Sequence, residues 1–178
     1  IEIETSDIEL KKVFYTALYH CYTSPYLFND IDGKYRGLDG ITHQAKEHNV
    51  YTVFSLWDTY RALHPLLALI DRKRTDDFVY TFMRHYEQGG MLPVWELSAY
   101  ETWCMIGYHS IPVIYDAYQK GILDHYSDYE RLQMLNAMVA SAKLKILGRP
   151  EYAKYGFIPS DYEHESVSKT LEYAFDDW

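Results

Sequence analysis

Acidic side chains stand beside aromatic ones at four places in this sequence, and these residues are the candidates for chemistry. The chain has no serine-nucleophile motif and no glycine-rich phosphate loop. A carboxylate can move a proton or accept a hydrogen bond from a hydroxyl, and an aromatic ring offers a flat apolar face that suits sugar rings. The four segments are Asn29–Gly37, Ser55–Arg61, Leu92–Leu97 with Glu101 and Thr102 just beyond, and Ser166–Trp178.

The last of these segments carries two carboxylates, Glu172 and Asp176, four residues apart. On a helix this spacing places both on one face. Aromatic neighbours such as Tyr173 would remove water from a carboxylate, and desolvation favours its protonated form. A protonated carboxyl is what a general acid needs at neutral pH. An exposed Glu172 that pairs with Lys169 is the simpler alternative, and the residues by themselves leave both open.

Two Trp–acid pairs are candidates for sugar contacts. Trp57 lies on a predicted apolar helix stripe, so it also fits a role in the core, with Asp58 beside it. Trp95 and Glu96 fall in a predicted loop, where a large aromatic residue has less structural purpose. We therefore expect these pairs to lie near a ligand, with core packing as the alternative for Trp57.

The first segment resembles a calcium loop only superficially. Its glycine, Gly33, comes one position after Asp32, and no glutamate closes the loop, so the spacing fails. Asp32 could accept hydrogen bonds from sugar hydroxyls, and Arg36 could donate them. A simple polar turn is the alternative.

Composition narrows the class of protein. The 178 residues carry a formal net charge of -9, which argues against a nucleic-acid-binding surface. No apolar run reaches the roughly 18 residues of a membrane span, so we expect a soluble domain. The chain has 19 Tyr and 4 Trp, which raises carbohydrate above phosphate as a ligand class. Cys21 and Cys104 have no metal-binding spacing, and the sequence leaves open whether they pair.

Apolar periodicity and capping signals predict an all-α domain. Ser6 and Ser127 each begin a predicted capping box, and Pro112 is expected to kink the fourth helix. No segment alternates convincingly with a period of two. Long and short loops alternate, as in domains built of antiparallel helix pairs. The six predicted helices are 7–22, 50–70, 75–87, 103–119, 127–147 and 166–178.

Across nearly its whole length the sequence resembles the α-mannosidases of glycoside hydrolase family 92. The matching runs occur in collinear order, which makes the resemblance far more specific than any single motif. They are Phe14–His20, Asp32–Gly37, Tyr51–Thr59, Leu63–Leu66, Leu92–Leu97, Met105–His109 and Ser166–Trp178.

This resemblance implies a fold and a domain arrangement. The catalytic domain of the family is an (α/α)6 toroid preceded by a β-sandwich. Residues 1–178 would then form a single partial domain, the N-terminal part of the toroid. The β-sandwich and the remaining C-terminal helices would lie outside it.

The resemblance also implies an activity, namely calcium-dependent, inverting, exo-acting hydrolysis of terminal mannose from mannans or N-glycans, through an α-1,2 or related linkage. Glu172 matches the general acid of the family. Trp57, Asp58, Trp95 and Glu96 resemble substrate-pocket residues, and Asp32 and Arg36 are assigned with them. The general base and the calcium ligands are expected beyond Trp178, so no metal ligand is expected within this chain.

Further expectations depend on this resemblance alone. The partners would be mannose-containing glycans and the rest of the parent enzyme, with no nucleic acid and no membrane span, in a periplasmic or extracellular location. Residues 1–178 alone are expected to be inactive, because a general base contributes roughly 100- to 10,000-fold. Two other classes stay open: a non-catalytic carbohydrate-binding helical module, and a helical scaffold whose aromatic residues are only core.

Overall fold

The computed structural model describes all residues, 1–178, as eight helices and six very short strands. The helices are α1 (Ile8–His20), α2 (Leu56–Thr59), α3 (Leu63–Ile70), α4 (Arg72–Gly89), α5 (Ser110–Gln119), α6 (Asp128–Ala142), α7 (Arg149–Tyr155) and α8 (Ser166–Asp177). The strands are β1 (Tyr26–Leu27), β2 (Lys34–Arg36), β3 (Thr42–Gln44), β4 (Tyr51–Thr52), β5 (Phe54–Ser55) and β6 (Trp95–Glu96). None of the helices combines the length and apolar character needed to cross a membrane.

The strands form three separate antiparallel pairs, β1 with β4, β2 with β3 and β5 with β6. Each strand has only two or three residues, which is too short for an alternating pattern to show in the sequence. They hold together the loops that connect the helices, and they do not form a separate β-sheet layer. The all-α prediction is confirmed.

The core surrounds α4, which packs against α3, α5 and α6. Phe78 and Phe82 of α4 are fully buried and meet Phe54 edge-to-face, with ring centroids 5.4 and 4.8 Å apart. Asp71 caps this helix by accepting a hydrogen bond from Arg74 N at 3.2 Å, so α4 begins three residues before the predicted start. Its apolar stripe forms the central wall of the domain.

The predicted helix 50–70 is wrong in its first half. Val53 has φ +66°, which no α-helix allows, and the residues around it form β4 and β5. Ala62 then breaks α2 from α3 with φ -140°. The apolar residues of the predicted stripe are buried or half-buried, as that stripe requires. The backbone conformation, however, is fixed here by strand partners that are distant in sequence.

The fourth predicted helix begins seven residues late, at Ser110. Trp103, Met105 and Gly107 all have positive φ, so the segment before α5 is an ordered loop. Pro112 is the third residue of α5 and lies in its first turn, where a backbone donor has no helical partner. The predicted kink is therefore wrong.

The remaining helix predictions are confirmed except at some ends. The capping box at Ser127 forms with Glu130, but α6 ends at Ala142 and a short helix, α7, that the sequence did not predict follows Gly148. At α1 the cap is Asp7, which accepts from the backbone N–H groups of the following turn, so the box predicted from Ser6 does not form. The predicted start of α8 at Ser166 is correct.

Candidate active site

Helix α8 is held to the domain by Tyr173, which is fully buried. Its ring stacks on Tyr108 with centroids 4.8 Å apart and meets Tyr152 edge-to-face at 5.6 Å. Its hydroxyl donates to Leu147 O at 2.8 Å, and the Arg149 guanidinium lies 5.8 Å from the ring centroid. This anchoring fixes the rotation of α8 and thereby the direction of its carboxylates.

The neighbouring carboxylate, Glu172, lies among three polar groups. Trp57 Nε1 donates to Glu172 Oε1 at 3.0 Å, and the Tyr60 hydroxyl donates to Oε2 at 3.3 Å. His109 Nε2 lies 3.4 Å from the same Oε2. The Glu172 side chain is 18% exposed, so it is held inside a pocket rather than in open solvent.

One turn further along α8, Asp176 binds the other side of His109. Its Oδ1 lies 2.6 Å from His109 Nδ1, and its Oδ2 accepts from Tyr108 N at 2.7 Å. The Asp176 side chain is completely buried, and this burial raises its pKa, while His109 opposes the rise. Tyr60 stacks flat on His109, with centroids 4.0 Å apart. The predicted pairing of Glu172 and Asp176 on one face is therefore confirmed by their shared contact with His109.

Trp57 of α2 and the residues that follow this helix form the wall beside this carboxylate. The Arg61 guanidinium lies 4.7 Å from the Trp57 ring centroid and 4.8 Å from that of Tyr60. Asp58 is exposed and is hydrogen-bonded by the Ser55 hydroxyl. Trp57 is half-buried with its indole N–H directed to Glu172, which is a positioning contact rather than simple core packing.

The β5–β6 pair brings the second Trp–acid pair next to α2. Trp95 pairs with Ser55 across the strands and is half-buried. Glu96 turns inward and is 1% exposed. Its carboxylate accepts from the Thr52 hydroxyl at 2.9 Å, from Val53 N at 3.1 Å and from Ala99 N at 2.6 Å. These bonds join two loops, while a substrate role for Trp95 and Glu96 stays a prediction.

Burial raises the pKa of Glu96 from its ordinary value of 4.5 to about 7. The folded chain therefore keeps this proton between about pH 4.5 and 7, while the unfolded chain has lost it. We expect the free energy of unfolding to fall as pH rises through this range, by on the order of 3 kcal/mol from Glu96 alone. In Glu96→Gln this part of the slope should disappear in denaturant titrations at pH 5 and 7.5. Exposed Glu47→Gln is the control, and an unchanged slope in Glu96→Gln would refute the assignment.

Comparison with known proteins identifies the family of this chain. The model of the glycosyl hydrolase family 92 catalytic domain matches residues 1–178, the whole chain. The chain belongs to glycosyl hydrolase family 92. The resemblance of the sequence runs is thus confirmed.

Solved family 92 structures agree with the fold. The α-mannosidase BT3965 of Bacteroides thetaiotaomicron is 44% identical, with a TM-score of 0.91 over 98% of this chain and 24% of that one. The same enzyme in complex with mannoimidazole gives the same identity and TM-score over 23% of that chain. The inverting mannosidase BT2199 of the same organism is 30% identical, with a TM-score of 0.81 over 99% of this chain and 25% of that one.

The chain therefore spans about a quarter of the length of these solved relatives. Its helices form part of the α/α toroid of the family, as predicted. Comparison with curated proteins found no match.

Asp32 and Arg36 lie apart from the Glu172 pocket of this family 92 chain, on and just before β2. Both are exposed, and Asp32 pairs with Lys34 at 2.6 Å, which lowers its pKa. No hydrogen bond or ion pair joins either residue to the Trp57–Glu172 pocket. Their substrate-binding role stays a prediction.

Two residues of the pocket were missed by the sequence reasoning. Tyr60 was not singled out within the segment Ser55–Arg61, although its spacing of three from Trp57 places both on one helical face. His109 ended one of the matching runs without being singled out. Its position depends on a loop of positive-φ residues, for which the sequence gives no signal.

One cluster in the chain offers metal-ligating atoms. His48, Asp76 and Asp77 present ligand atoms within 4.8 Å of one another. Lys73 Nζ, however, lies 2.8 Å from Asp77 Oδ1 and 3.3 Å from His48 Nδ1, so an ammonium already contacts two of the three candidate ligands. Calcium prefers six to eight oxygen ligands, and this set offers one nitrogen and two carboxylates. The cluster does not fit calcium.

The two cysteines are unpaired. Cys21 and Cys104 are both free thiols, which answers the question that the sequence left open.

Proposed function

We propose that the protein containing this segment is an exo-acting α-mannosidase that removes terminal mannose from mannans or N-glycans with inversion, with Glu172 as general acid. The observation that carries this proposal is the hydrogen bond of 3.0 Å from Trp57 Nε1 to Glu172, inside a pocket walled by Trp57 and Tyr60. The 44% identity to an α-mannosidase solved with mannoimidazole supports the substrate class. The 30% identity to an inverting mannosidase supports the stereochemistry.

In an inverting mechanism one carboxylic acid protonates the leaving oxygen while a second carboxylate activates water. The two carboxyl groups of such a pair stand roughly 6.5–9.5 Å apart. Asp176 cannot be the second one, because it is completely buried and bound to His109 and Tyr108. We therefore assign the general base to polypeptide beyond Trp178, and we expect residues 1–178 alone to be inactive.

The surroundings of Glu172 suit the acid role. Trp57 fixes Oε1 by donating to it, so the carboxyl group has little freedom to rotate. The rings of Trp57 and Tyr60 cover one side of this carboxyl group. Half-buried Trp95 pairs with Ser55, two residues before Trp57, and exposed Asp58 follows Trp57 in the chain, so we assign these two side chains to sugar contacts.

Calcium dependence and location also belong to this proposal. The one cluster of metal-ligating side chains in the chain does not suit calcium, so we assign the ligands to residues beyond Trp178 and route no step through the ion. We propose a periplasmic or extracellular location from the glycan substrate.

The test uses a protein of the full length of the solved relatives that contains this segment. We expect it to release mannose from an α-1,2-mannobiose, with β-mannose as the first product seen by proton NMR and with loss of activity after chelation by EGTA. α-Mannose as the first product would contradict inversion. Calorimetric binding of mannobiose with no turnover would favour the carbohydrate-binding module instead. Residues 1–178 alone serve as the inactive control.

A further inference from the structure

His109 is a buried residue of the pocket for which the proposed reaction has no use. It is 1% exposed and has a carboxylate at each ring nitrogen, Asp176 at Nδ1 and Glu172 near Nε2. Tyr60 covers one ring face at a centroid distance of 4.0 Å. A ring enclosed in this way has one orientation. The two carboxylates therefore determine which ring nitrogen carries a proton.

Asp176 decides which nitrogen carries the proton. Its Oδ2 already accepts from Tyr108 N at 2.7 Å, which holds the carboxylate in place. Its Oδ1 lies 2.6 Å from His109 Nδ1 and can only accept when ionised, so the neutral ring carries its proton on Nδ1. The lone pair of Nε2 then has no other partner and lies 3.4 Å from Glu172 Oε2, a contact that does not reach hydrogen-bond geometry in this structure.

That lone pair distinguishes between the two forms of Glu172. A protonated carboxyl can direct its O–H to Nε2, whereas an ionised carboxylate would meet a second electron pair. We propose that Asp176 and His109 are positioning residues that keep Glu172 in its protonated form until the glycosidic oxygen takes that proton. His109 keeps its own proton throughout. This inference rests on the proposed role of Glu172 as general acid.

The remaining contacts are consistent with an easily broken arrangement. The 3.4 Å separation is longer than a strong hydrogen bond, so His109 holds Glu172 Oε2 only weakly. The Tyr60 hydroxyl, at 3.3 Å from Oε2, can donate to the other lone pair of that oxygen. Trp57 holds Oε1 independently of both.

Asp176→Asn tests the proposal in a protein of the relatives' full length that contains this segment. The Asn amide can donate to Nδ1, which moves the ring proton to Nε2, and an Nε2–H group favours ionised Glu172. We expect kcat to fall about 100-fold or more on an α-mannobiose, whose sugar leaving group needs the proton. On 2,4-dinitrophenyl α-mannoside, whose leaving group needs none, the change should stay within about threefold.

Asp177→Asn is the matched control. Asp177 is the next residue of α8 and accepts from the Tyr108 hydroxyl at 2.7 Å, but it has no contact with His109. We expect wild-type rates on both substrates. His109→Gln, whose amide can still donate to Asp176, should repeat the selective loss and replaces Asp176→Asn if that variant fails to fold.

The outcomes separate this inference from the proposed function. An equal loss on both substrates in Asp176→Asn and His109→Gln would mean that the pair only supports the fold. If Glu172→Gln shows the selective loss and the other two variants do not, the inference fails alone. If Glu172→Gln shows no selectivity, the general-acid assignment fails first. The double variant Glu172→Gln/Asp176→Asn should be no slower on the disaccharide than Glu172→Gln, because both act on one proton.

Discussion

Replacing Glu172 by Gln should lower kcat for hydrolysis of an α-mannobiose by about 100- to 10,000-fold, the usual contribution of a general acid. Gln keeps the shape of the side chain, and its carbonyl oxygen can still accept from Trp57 Nε1. What it lacks is a proton to give. The loss should therefore appear in kcat much more than in KM, measured as mannose release by a full-length protein that contains this segment.

Glu165→Gln is the matched control for this variant. Glu165 stands at the start of the same helix, is exposed and makes no capping bond through its side chain. We expect no change in rate from it. If Glu172→Gln kept more than about a tenth of the wild-type rate on the disaccharide, another group would have to be the acid.

Replacing Tyr173 by Ala should reduce the free energy of unfolding by about 3–5 kcal/mol, the usual cost of removing a large buried aromatic side chain. The ring is fully buried between Tyr108 and Tyr152, and its hydroxyl holds Leu147 O. These contacts attach α8 to the domain. The variant should therefore also release Glu172 from Trp57, which tryptophan fluorescence at low denaturant can detect.

Two variants show which part of Tyr173 matters. Tyr173→Phe keeps the ring and loses only the bond to Leu147 O, so a cost of about 1 kcal/mol is expected. Leu171→Ala alters an exposed neighbour and should change stability by less than about 0.5 kcal/mol. Equal costs for the Ala and Phe variants at position 173 would show that ring packing does not anchor α8.

The hydrogen-bond pattern of Glu96 shows how a residue selected from the sequence can have an unexpected structural setting. The sequence placed Trp95 and Glu96 together as pocket candidates because both stand in a loop. In a two-residue strand, neighbouring side chains point to opposite sides. Glu96 consequently turns inward to Thr52, and Trp95 faces the other way. Loop composition alone cannot reveal this alternation.

Features whose causes lie within a few residues could be predicted from the sequence. Glu172 and Asp176 share a face of α8 because helical geometry requires it at a spacing of four, and the start of α8 and the Ser127 cap were correct for the same local reason. The broken segment around Val53 and the place of His109 are established only when the chain folds. Both depend on partners distant in the chain: Val53 N bonds to Glu96, 43 residues away, and His109 to Asp176, 67 residues away. Such contacts leave no periodic trace in either segment, so no local pattern could predict them.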